Sequence, residues 1–240
     1  MTQRQRENHT ILQSIILHLL PGVLIGAFYF LIRQPIHKMG YPSILALMLA
    51  IAGILVPFEL GYLLLKGKQA NGRYSLAGII SYRDRVPWWQ IFLWSLLVFV
   101  VTGAIFTMLK PVENVLQENL FSWVPVLESG LSENYPKTVL IVTYVMVLLF
   151  GVIVGPLVEE LYFRGYLLPR MPGKYAPVFH SLLFAAYHVF TPWMIITRTI
   201  GLLPLIYAVK RKNIYIGIIV HILLNSLDVV AAAVFIAGMT

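Results

Sequence analysis

The chain alternates between long apolar stretches and short polar joints from one end to the other. Apolar stretches lie near 11–32, 43–65, 88–109, 137–169, 176–191, 193–209 and 213–236. Each can cross a hydrocarbon core of about 30 Å as a helix rising about 1.5 Å per residue. The expected fold class is therefore all-α and polytopic: about seven transmembrane helices in a single membrane domain covering 1–240. The first three stretches and the joints around them (1–136) read as N-terminal scaffold spans. The remainder (137–236) reads as a C-terminal helix bundle. No repeat or low-complexity segment interrupts the pattern, and the longer joints are 66–87 and 110–136. The fourth stretch is too long to be a simple span, about 50 Å from Lys137 to Pro169 at helical rise. Gly155-Pro156 is the expected place of a kink or restart, because proline removes a backbone donor and crowds the preceding turn.

Composition agrees with the pattern. The 240 residues are 59% hydrophobic and 12% charged, about half the charge of an ordinary soluble domain. The absence of cysteine excludes disulfides, thiol catalysis and thiolate metal sites. The 18 basic residues outnumber the 10 acidic ones, but they gather in the joints, as orientation signals do, rather than in a nucleic-acid-binding patch. With the N-terminus inside, 13 of the 18 fall on the cytoplasmic side, among them Arg4, Arg6, Lys66, Arg73, Arg170 and Lys210–Lys212. The longest outer joint carries Glu113, Glu118, Glu128 and Glu133. The expectation is a multi-pass cell-membrane protein with a cytoplasmic N-terminus and an uncleaved first span, since that stretch is too long for a signal-peptide core.

Against this background the ionisable residues inside the spans stand out, because each is costly there. Counted from the joint at the cytoplasmic end, Glu159 lies about 16 Å deep, His188 about 18 Å, His221 about 12 Å and Asn225 about 18 Å. Three helices thus bring a carboxylate, imidazoles and an amide to a common depth. Within Glu159-Glu160-x-x-x-Arg164, Glu160 and Arg164 are four apart and can form an ion pair on one helix face. Glu159 is turned about 100° away. Neighbouring carboxylates in low dielectric resist joint ionisation, so Glu160 is expected to serve Arg164 while Glu159 acts as general base. His221 and Asn225, also four apart, suit the stabilisation of an oxyanion, and Asp228 shares their face. A metal remains an alternative at this point. HExxH and close histidine pairs are absent, so no cofactor is favoured, but a divalent ion such as zinc could be held by Glu159, His188 and His221 across three helices. Glu59, isolated in the second stretch, has three open roles: pairing an arginine, lining the cavity or touching substrate.

This ordered set resembles the CPBP intramembrane proteases, also called the Abi family, which include the CAAX endopeptidases. The family pattern EExxxR, FxxxH and HxxxN matches Glu159-Glu160-x-x-x-Arg164, Phe184-x-x-x-His188 and His221-x-x-x-Asn225. The resemblance covers roughly 137–236. It implies hydrolysis of a peptide bond in a cavity open to the cytoplasm, acting on a membrane-associated peptide or protein, lipidated or leader-bearing. It also implies roles: Glu159 with His188 activating water, His221 and Asn225 receiving the oxyanion, and Glu160 and Arg164 supporting the site. The expected partners are that substrate and the lipid bilayer, with no nucleic acid. Two other functions compete. A catalytically silent scaffold or regulator of the same fold would be expected to have lost motif residues. A transporter would be expected to show repeats and polar groups along a full path.

Overall fold

A computed structural model describes residues 8–131 and 135–239. Arg4, Arg6 and Glu133, three of the charges used for the orientation, lie outside the described residues. The described chain is helical without strands: α1 Ile11–Lys38, α2 Ile44–Asn71, α3 Trp88–Asn119, α4 Lys137–Arg170, α5 Ala176–Tyr187, α6 Pro192–Gly201, α7 Leu203–Arg211 and α8 Ile214–Ala237.

The expected count of about seven spans is not confirmed. Among the described residues α1, α2, α3, α4 and α8 are long and apolar enough to cross a membrane, and α6 with α7 makes a sixth when taken as one span bent by 43°. The stretch 176–191 does not form a span of its own. Its helix stops after 12 residues at Tyr187, about 18 Å of rise, well short of a hydrocarbon core. Pro192 and Pro204 each open a new helical segment after it, as a residue lacking an amide hydrogen does well. Broken backbone of this kind is tolerated in a membrane where it lines a protein interior.

Of the kink or restart expected at Gly155-Pro156, the restart is corrected, because α4 runs through it from Lys137 to Arg170. Its turns widen instead: 147–154 and 160–167 are π-helical, and the Gly155 amide bonds the Phe150 carbonyl five residues back. A widened turn absorbs the donor that Pro156 removes. Such π stretches occur preferentially at functional sites. In α2 the segment Ile51–Leu60 is widened too, and it contains Pro57 and Glu59.

Two close approaches fix the helices around the centre. A methyl group on Gly22 of α1 would overlap the Tyr187 carbonyl, and one on Gly26 would overlap Val189. Small residues four apart let α1 press against the chain on both sides of His188. Gly217 of α8 plays the matching part at the other wall, where an added methyl would sit 2.5 Å from a Glu160 carboxylate oxygen. At the ends, Thr10 and Gln13 close a reciprocal capping box on α1, and Asn213 caps α8 by accepting from the Tyr215 amide at 2.9 Å. The outer surfaces of the long helices stay apolar, with Phe92, Leu93, Leu96 and Val100 of α3 exposed. An apolar belt of that size is the lipid face of a multi-pass membrane protein.

Candidate active site

A cavity of about 600 Å³ lies inside the helix bundle. Its polar lining includes Glu159 from α4, His188 and Thr191 from the break after α5, Arg198 from α6, and His221, Asn225 and Asp228 from α8. Residues of α1, α2 and α3 complete the walls, mostly with aliphatic side chains such as Ile25, Leu47, Met48 and Leu55.

The two adjacent glutamates part company. Glu160 is fully buried, and its Oε1 is ion-paired with Arg164 Nη1 at 3.2 Å along α4. The same oxygen accepts from His221 Nδ1 at 3.0 Å. Glu159 opens on the cavity, with His221 Nε2 at 3.6 Å from its Oε2. Glu160 therefore fixes the imidazole of His221 by its Nδ1–H, and the opposite nitrogen faces Glu159. Arg164 is completed by an aromatic face: its guanidinium carbon lies 3.7 Å from the centre of the Phe184 ring, a desolvated cation–π contact.

Phe184 does a second job. Its carbonyl accepts a hydrogen bond from His188 Nδ1 at 2.9 Å. A carbonyl can only accept, so Nδ1 carries the hydrogen and Nε2 keeps its lone pair. The spacing Phe184-x-x-x-His188 thus has a physical reason at both ends: the ring supports Arg164 and the backbone sets the tautomer of the histidine. Helix α5 ends at Tyr187, and His188 leaves helical geometry at φ −80°, ψ 60°. That lets the ring turn into the cavity.

Asn225 donates its Nδ2–H to the Gly151 carbonyl at 2.8 Å. This bond orients the amide from the widened stretch of α4 and leaves a second amide hydrogen. Asp228 lines the cavity one turn further along α8. Direct contacts join Glu159, Glu160, Arg164 and His221, whereas His188, Asn225 and Asp228 reach the same cavity from other directions.

For metal, the donor set is a poor fit. Among the described residues no group of three or more His, Asp or Glu side chains is placed to hold an ion.

Three residues that carry polar contacts here lie outside the expected set. Tyr187 donates its hydroxyl to Glu59 Oε1 at 3.0 Å, and that hydroxyl also faces Glu159. Glu59 therefore pairs with a tyrosine rather than an arginine, and it braces the residue next to His188. Its other oxygen, Oε2, is buried with no hydrogen-bond partner. The third residue is Arg198. It lies 12 residues before Lys210, about 18 Å from that end at helical rise, the depth already found for His188 and Asn225. Counting depth on the sixth stretch as on the others finds it; nothing in the sequence signals the pairing of Glu59 with Tyr187.

An all-helical, multi-pass membrane protein with carboxylate, imidazole and amide groups converging on an internal cavity is the class this architecture defines. Residues 141–227 match the family model described as Rce1-like, type II CAAX prenyl endopeptidase, the family group to which the three motifs pointed. The matched segment contains all seven motif residues, from Glu159 to Asn225. No curated protein and no solved structure matches the chain. The proteins that this model describes are endopeptidases, and the match lies within the C-terminal part of the chain.

Proposed function

We propose that the chain is an intramembrane endopeptidase that hydrolyses a peptide bond of a membrane-associated peptide or protein, with water activated by Glu159 and His188. The observation that supports this most directly is the division between the adjacent glutamates. Glu160 is taken up by Arg164 and His221, whereas Glu159 faces the cavity. In the proposed reaction a water held between Glu159 and the His188 Nε2 lone pair attacks the peptide carbonyl carbon and gives its proton to Glu159. The carbonyl oxygen takes the electron pair. It is met by the free amide hydrogen of Asn225 and by Nε2–H of His221 when that ring is protonated, each donor worth roughly 10²–10³-fold. Collapse re-forms the carbonyl and breaks the C–N bond, and Glu159 passes its proton to the leaving amine. The charge asymmetry of the joints supports a cytoplasmic N-terminus and a cavity open to that side.

The test uses purified protein and a panel of membrane-associated peptides, lipidated and unlipidated, with and without chelator, against the Glu159→Ala variant. Cleavage by the parent that survives chelation and vanishes in the variant is the expected result. Cleavage abolished by chelator and restored by zinc would replace the water-activation scheme with a metal one. Stable, folded parent protein that cleaves nothing in the panel would favour the silent scaffold.

A further inference from the structure

Among the described residues Arg198 is a cation of the cavity without an ion-pair partner. It is half-buried on α6 and lines the same space as Glu159 and His188. Its hydrogen bonds go from a single nitrogen, Nη1, to the Thr191 hydroxyl at 2.7 Å and the Thr191 carbonyl at 3.4 Å. Among the described residues none of the ion pairs includes it. Two carboxylates act on it only from a distance, Glu113 and Glu159. Glu113 is already ion-paired with Lys110 at 2.9 Å, and Glu159 is turned to His221. Arg164 differs in its surroundings: that guanidinium has both a carboxylate and an aromatic face. Its Nε and Nη1 are buried without a hydrogen-bond partner, whereas no nitrogen of Arg198 is buried in that way.

A guanidinium offers five N–H donors in a planar fork that matches a carboxylate. Holding one inside a membrane span with most of that fork unused is expensive unless an anion arrives. If Arg198 served only to tie down the Thr191 turn, one neutral donor would suffice. We infer that Arg198 is a specificity-determining residue that docks a carboxylate of the substrate in the cavity beside Glu159. The inference rests on the hydrolytic reading of this cavity. It adds that the substrate bears a negative group close to the bond that is cut. Such a group has two sources, the chain terminus of the substrate or an acidic side chain.

Three peptides of otherwise identical sequence separate these possibilities: one with a free C-terminal carboxylate, one amidated, and one amidated with a single glutamate. The parent is expected to favour one or both carboxylate-bearing peptides over the plain amide by roughly 10- to 100-fold in kcat/KM, the range of one hydrogen bond to a charged group. The preferred peptide names the source. In Arg198→Gln that ratio should collapse towards one, mainly through KM, and Arg198→Lys should recover part of it. Equal binding of the three peptides to the non-cleaving Glu159→Ala protein would overturn the inference even if hydrolysis itself is never seen, and a retained preference there would support it. Equal turnover of all three by the parent, or an equal loss on all three in Arg198→Gln, would overturn it while leaving the hydrolytic reading intact.

Discussion

Replacing Glu160 by glutamine keeps its shape and removes one charge, so it isolates the ion pair at the heart of α4. Side-chain exposure of Arg164 and Glu160 is 1% and 0%, and neither charge has water to fall back on. Two unit charges 3.2 Å apart attract by about 5 kcal/mol at an effective dielectric of about 20. Breaking a buried pair from one side costs about 3–5 kcal/mol, because the surviving ion is left uncompensated. The glutamine oxygen can still accept from His221 Nδ1, so the bond that orients the imidazole is retained. The expected outcome is a loss of about 3–5 kcal/mol and a fall in Tm of about 6–20 °C, from the usual 2–4 °C per kcal/mol at this chain length. Thermal unfolding of detergent-purified protein reads it. A double-mutant cycle then assigns the loss: Arg164→Met together with Glu160→Gln should be about 1–3 kcal/mol more stable than the two single losses added. An unchanged Tm for Glu160→Gln with additive behaviour in the cycle would refute the argument. An unchanged Tm with abolished turnover would go further and exchange the roles of the two glutamates.

Glu159→Gln is expected to do the reverse, lowering turnover by at least about 10²–10⁴-fold while Tm stays within about 2 °C of the parent; a large Tm loss would make Glu159 structural. Tyr187→Phe removes the donor to Glu59 and leaves that carboxyl buried without a partner, at about 1–3 kcal/mol, whereas Glu59→Gln keeps an acceptor for the hydroxyl and should cost less; the order of the two in thermal unfolding decides. Gly22→Ala forces α1 away from the Tyr187 carbonyl, so overpacking of about 1–3 kcal/mol should be accompanied by impaired turnover as His188 shifts, and a variant with parental Tm and activity would show the contact to be soft. Orientation is read with single cysteines in this cysteine-free chain at the exposed positions Arg73 and Glu118: an impermeant reagent added to intact cells should label the second and spare the first.

Much of the fold was legible because burial of a helix in lipid demands the same apolar length wherever it occurs. The expected ends at 11, 88, 137 and 176 coincide with helix starts. Hydropathy failed where it could not distinguish apolar residues in a helix from apolar residues in a turn. Val189 and Phe190 extended the fifth stretch to 191, yet the helix has already ended at Tyr187. Gly155-Pro156 misled in the opposite sense. A proline forbids one regular hydrogen bond, but the chain can answer by widening a turn as well as by breaking, and local sequence does not choose between the two.

The motif residues were legible for a sharper reason: ionisable groups are rare in spans, and spacing of four puts them on one face. That reasoning reaches only as far as one helix at a time. Tyr187 reads as an ordinary core aromatic until the fold brings it to Glu59, 128 residues away. The division of the molecule into scaffold and core also hides where substrate shape is decided. The matched segment begins at residue 141, whereas Leu47, Met48 and Leu55 of α2 and Gly103, Phe106 and Thr107 of α3 form part of the cavity wall. On the proposed reading, the residues that act on the bond come from the matched segment, whereas part of the wall that meets the peptide comes from α2 and α3. A shared catalytic motif constrains the first and leaves the second free to differ. Substrate preference should accordingly follow substitutions at Met48 or Phe106, and at Arg198, which lies within the matched segment but outside the three motifs.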